Sequence, residues 1–139
     1  MLRRSAGLVL SLLMVSACGG HSPTAPSVNL GGRWQGSFAS DADEPGTFTL
    51  QLTQAGANVT GTVSMAQNEF TNIPGTWMGT LAAGAISMPF TLNYAFGPQP
   101  CQGVFNGTVS VTAQTLDGSF SGHNCGRTFN GTIHATKVN

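Results

Sequence analysis

Residues 47–53 read TFTLQLT and residues 58–65 read NVTGTVSM. In the first, Phe48, Leu50 and Leu52 alternate with Thr47, Thr49, Gln51 and Thr53; in the second, Val59, Val63 and Met65 share one parity. A side-chain period of two sends one set to a buried face and the other to water, which is the pattern of a β-strand. The same alternation recurs near 33–40, 75–82, 85–92, 102–111, 115–121 and 127–138, with turn-rich pieces between, and no window carries helical spacing. Two segments nearly repeat, FNGTVSV at 105–111 and FNGTIHA at 129–135, with VTGTV at 59–63 a looser third copy. Their glycines fall on the apolar parity in midstrand, where they let a sheet coil or leave space inside it. The expected fold is all-β: an eight-stranded antiparallel up-and-down barrel.

Link lengths orient this barrel. The second, fourth and sixth links, QAGA, AAGA and TAQ, suit tight hairpins. The first, third, fifth and seventh, SDADEPG, AQNEFTNIPG, NYAFGPQPC and SGHNCG, are longer. Alternate links of a meander lie at one end, so the long ones are expected to form a mouth and the short ones a plain floor. The mouth would carry Phe70, Tyr94, Phe96 and Arg127. Cys101 and Cys125 fall in the fifth and seventh links, at that same end, and are expected to form a disulfide in an exported chain. A metal site from Cys101, His123 and Cys125 is the weaker alternative, because no fourth ligand is evident.

Ahead of the strands, Arg3 and Arg4 precede an apolar run, Leu8 to Val15, too short to span a bilayer as a helix. Val15, Ser16, Ala17 and Cys18 resemble the lipobox of bacterial lipoproteins. That resemblance implies cleavage after residue 17, acylation of Cys18, and attachment to a lipid bilayer of the cell envelope. Gly19 behind the cysteine points to the outer membrane. The implied organisation is a signal peptide at 1–17, an acylated cysteine and flexible tether at 18–29, and one barrel domain at 30–139. A tether of this length reaches at most about 40 Å, and it joins the first strand at the floor, leaving the mouth free.

The sequence begins its first strand with GGRW, which contains the GxW element of lipocalins and related calycin barrels, and GTW recurs at 75–77. The resemblance implies that Trp34 closes the floor under a basic side chain from the last strand. Lys137 has the right parity and the right end for that role. The TDY-like turn of lipocalins is missing. Avidin-like barrels share the GxW start, but two tryptophans do not build a biotin site.

Formal net charge is zero and 7% of residues are charged, so no basic patch exists to neutralise phosphates and nucleic acid is not an expected partner. An inserted membrane barrel is disfavoured by slightly short strands and by one Tyr and two Trp to build two girdles. No catalytic set stands out. Asp43 with Glu69 could act as a carboxylate pair and DADE could hold calcium, but neither spacing is diagnostic. His123 near Arg127 has no marked nucleophile, and His134 takes the outward parity. Nothing calls for a cofactor, a metal or an enzyme. The apolar parity carries many aromatics, and a barrel of eight strands is either filled by its side chains or holds one small ligand. The expected function is binding of a small apolar or amphipathic ligand at the mouth. The alternative is a non-enzymatic surface module that uses the barrel as scaffold for protein or polysaccharide contact.

Overall fold

A computed structural model describes residues 28–42, 44–68, 70–96, 99–124 and 126–139, with backbone alone at 88–90, 92, 94–96, 99–101 and 124. Eight strands follow one another: β1 (Gly32–Ser40), β2 (Gly46–Ala55), β3 (Asn58–Gln67), β4 (Phe70–Ala82), β5 (Ala85–Phe96), β6 (Gln99–Val111), β7 (Thr115–Asn124) and β8 (Arg127–Val138). Each pairs antiparallel with the next, and β8 returns to β1, so the sheet is a closed barrel. The register carries a large stagger. From Gly32 the partners run through Leu52, Gly61, Trp77, Phe90, Phe105, Gly122 and Phe129, and the β8–β1 register, carried two steps past its last pair Gly131–Ser40, comes back to position 42, ten residues along from Gly32. A stagger of that kind tilts the strands and closes the sheet with room for about one layer of side chains.

Alternation sorts the residues as their parity demands. Trp34, Leu50, Val59, Trp77, Ile86, Val109, Leu116 and Ala135 are among the buried apolar set, and no polar or charged side chain is buried among the described residues. Phe105 anchors an aromatic group near the rim, edge-on to Phe120 at 5.8 Å and tilted against Phe129 at 6.4 Å. Threonine, serine, asparagine and glutamine cover the outside. The tight links sit where expected. Ala83 and Gly84 both take positive φ, 48° and 77°, as the commonest two-residue hairpin turn requires.

The opposite end differs from the expected one. Three of its four links are short, because strand pairing consumes the residues assigned to loops: β4 begins at Phe70, β5 runs to Phe96, β6 begins at Gln99 and β7 reaches Asn124. Only residues 41–45, between β1 and β2, form a longer connection. The mouth is therefore a rim of extended hairpins. Between β4 and β5 the pairing stops at Gly75 and Leu92, while β5 and β6 remain paired out to Phe96 and Gln99. On the far side β6 and β7 pair only from Val104 and His123 downward. The β5–β6 hairpin thus rises above its neighbours as a two-stranded flap.

Candidate functional site

Three places bring together side chains that chemistry could use: the floor, the rim and a groove on the outer face. At the floor Trp34 is fully buried, and its indole Nε1 donates to the Leu30 carbonyl at 2.9 Å. Trp34 and Lys137 are cross-strand partners, and Lys137 Nζ lies 5.6 Å from the indole ring centroid, within cation–π range. Gly32 explains the spacing of the motif. Its φ is 124°, and a Cβ there would sit 3.2 Å from Lys137 Cε, so the lysine stem crosses the barrel end over a residue with no side chain. Lys137 Nζ also donates to the Asn29 carbonyl at 2.9 Å.

Gln54 completes the floor. Its Oε1 accepts from the Leu30 N–H at 2.7 Å, and its Nε2 donates to the carbonyls of Val28 and Gly56 at 3.1 and 3.0 Å. Leu30 is fully buried and Val28 packs against the core. The last two residues of the expected tether, Val28 and Asn29, are thereby bound to the barrel. Nothing in the sequence marks Gln54, since it occupies an inward parity at a strand end where either water or backbone could have satisfied it.

At the rim, Phe70 opens β4 and is 41% exposed, and the Arg127 guanidinium carbon stands 5.7 Å from the Phe129 ring centroid. The backbones of Tyr94 and Cys101 are register partners in the flap, and Phe96 ends β5. The side chains of Tyr94, Phe96 and Cys101 lie outside the described residues, as do Cys125, Asp43, Glu69, Cys18 and the rest of 1–27. The carboxylate pair, the Cys101–Cys125 bond and its metal alternative therefore fall beyond what is described. Among the described residues no three His, Cys, Asp or Glu side chains gather as a metal site would need.

Asp41 ties the long rim link to β8. Its Oδ1 accepts from the Asn130 N–H at 2.9 Å and its Oδ2 from the Asn130 amide at 3.0 Å, while its own N–H donates to the Asn130 carbonyl at 2.9 Å. The Asn130 backbone N–H, then its side-chain amide, hold the Asp41 carboxyl below the usual carboxylate range. A carboxyl depressed in the folded state stabilises fully above its unfolded pKa and loses that contribution as pH falls through the folded one. Asp41→Asn is therefore expected to lower the unfolding midpoint at pH 7 and to match the parent in strong acid, in paired urea titrations. Equal deficits at both pH values would contradict this assignment.

On the outer face His134 Nδ1 and Asp117 Oδ1 meet at 2.5 Å, with side chains 57% and 55% exposed. At such exposure the pair fastens β7 to β8 weakly. A groove of about 570 Å³ crosses the same face farther toward the rim, lined by Ser87 from β5, Asn106 and Thr108 from β6, Ser119 and Ser121 from β7 and Asn130 from β8, over Gly107, Phe120 and Gly131. Its two sides come from the repeated FNG element, which the register places on either side of β7.

No family model and no curated protein matches the chain. Among solved structures it is similar to a redesigned beta barrel, with a TM-score of 0.61 at 12% identity, over 79% of this chain and 92% of that one. At that identity the likeness is one of fold.

Proposed function

We propose that this chain is an exported bacterial lipoprotein, acylated at Cys18 and held in the cell envelope, whose barrel is a filled scaffold that presents its outer face and rim to a partner. The single observation that carries the scaffold is the filling beside inward glycines. A Cβ on Gly36 would meet Phe48 Cζ at 2.7 Å, one on Gly61 would meet Leu52 Cδ2 at 2.8 Å, and one on Gly131 would meet Phe120 Cζ at 2.5 Å. Neighbouring side chains occupy the space that the missing ones would leave, as close packing requires. The lipobox at 15–18 supports the anchor, and the GxW start with Lys137 over Trp34 supports a calycin-type ancestry. Gly19 supports the outer membrane.

In this reading Cys101 and Cys125 bind the flap to its neighbour. Cys101 belongs to the rim portion of β6, and Cys125 falls in the link that joins the neighbouring β7 to β8, so both belong to the same end of the barrel. The intact mass of the purified protein is expected to be two hydrogens short of the dithiol, and reduction should cost about 3 kcal/mol of stability. A full dithiol mass would remove the bond.

A second reading keeps a small apolar or amphipathic ligand entering at the mouth, and one observation favours it. Among the described residues the Trp77 Nε1 is buried with no hydrogen-bond partner, and an unmet donor of this kind costs about 1 to 3 kcal/mol. Trp77→Phe and solvent extraction of the full chain separate the two readings. A scaffold yields no stoichiometric lipophile, and Trp77→Phe melts within a few degrees of the parent because deleting an unpaired N–H offsets the cavity left by the smaller ring. A bound lipophile lost from Trp77→Phe selects the ligand reading.

A further inference from the structure

We propose that the groove across β5 to β8 binds a neutral saccharide chain along its length. This deepens the scaffold reading and rests on it. The groove is built by register. Gly107, Phe120 and Gly131 form one row across β6, β7 and β8. Phe120 turns inward and the glycines present backbone alone, so this row is a trough. On the rim side stand Asn106, Ser121 and Asn130, and on the floor side Ser87, Thr108 and Ser119, each row being consecutive register partners. Rows two residues apart along a strand leave a trough about 7 Å wide, and the two interstrand steps from β6 to β8 give it a length of about 10 Å, with Ser87 of β5 extending one wall.

The chemistry of these walls selects the occupant. Every wall side chain is a hydroxyl or a primary amide, which both donates and accepts. None carries charge. An anionic partner would be met by Arg or Lys forks, and a cationic one by free carboxylates. Asp41, the carboxylate that touches the wall residue Asn130, has both oxygens engaged by it. An apolar partner would leave six polar groups without water or a partner, at a cost per group that no contact there offsets. A chain of neutral rings rich in hydroxyls matches the walls, and strands hold these donors and acceptors in place before binding, which lowers the ordering cost. The FNG repeat thereby acquires a use: it supplies an amide to each end of the trough with one strand of serines between.

Native gel electrophoresis of the purified full chain tests this in gels containing dextran, a β-1,3-glucan or a galactomannan, with heparin and alginate as charged controls. At least one neutral polymer should retard the protein. Asn106→Ala with Ser121→Ala should weaken that retardation about tenfold while the melting curve stays unchanged, since both positions are exposed. Retardation by no neutral polymer, by the charged ones alone, or equally in the double variant overturns the site. A protein partner that binds through the rim hairpins and tolerates the groove variants also overturns it, and leaves the scaffold reading standing. A stoichiometric lipophile from the interior brings down both.

Discussion

Trp34→Ala is expected to leave the chain largely unfolded under conditions in which the parent is native. Trp34 has no exposed surface, so its removal forfeits the transfer free energy of the indole and leaves a cavity, at a cost of about 3 to 5 kcal/mol. The Leu30 carbonyl loses its donor, and Lys137 Nζ loses the ring beneath it. Small domains have about 5 to 15 kcal/mol in total, so this change alone takes most of the margin at the lower end. Urea unfolding monitored by far-ultraviolet dichroism measures it. Trp34→Phe, which keeps an aromatic ring and loses the N–H, should fall between parent and alanine. A loss below about 1 kcal/mol for Trp34→Ala would mean that the floor is not a closed plug.

Gly36→Ala and Gly131→Ala are each expected to destabilise by about 2 to 3 kcal/mol, at the upper end for added methyl groups. Both lie on the seam where β8 returns to β1. A Cβ on Gly36 would approach the His134 carbonyl oxygen to 2.3 Å, and one on Gly131 would approach the Ala39 carbonyl oxygen to the same distance. Those oxygens belong to the adjacent strand, so relief requires the seam itself to part. Where a site has room, Gly→Ala stabilises by about 0.4 to 1 kcal/mol through the unfolded chain, so the sign of the change is the test. Thermal melts should drop by about 10 °C or more for each variant. An unchanged or raised melting temperature would show that the strands meet less closely than this register has them.

Element identity was legible in the alternation of apolar and polar residues, because a barrel with one wet face enforces that period on every strand. Strand ends at the floor were legible too, where AGA and TAQ punctuate. The rim was not. Pro74, Pro98, Pro100 and Gly75 read as loop residues, yet Pro74 pairs with Ser64 and Pro100 with Ala95 inside strands. Their missing N–H groups are tolerated because those stretches of β4 and β6 are paired on one side alone. Parity was enough to nominate Lys137 for Trp34. It could not pair Asp41 with Asn130, Asp117 with His134, or Gln54 with Leu30, since cross-strand partners depend on the stagger with which the barrel closes, and no short-range pattern encodes that.

The prolines of the rim have another effect. A two-stranded flap exposes backbone donors and acceptors on both flanks, a template on which identical chains could stack into fibrils. Pro100 deletes a donor from the β6 flank of the flap and Pro74 deletes one from the unpaired edge of β4 beside it, so each interrupts the ladder that a foreign strand would need. The residues that disguise these strands in the sequence thus also discourage polymerisation through them.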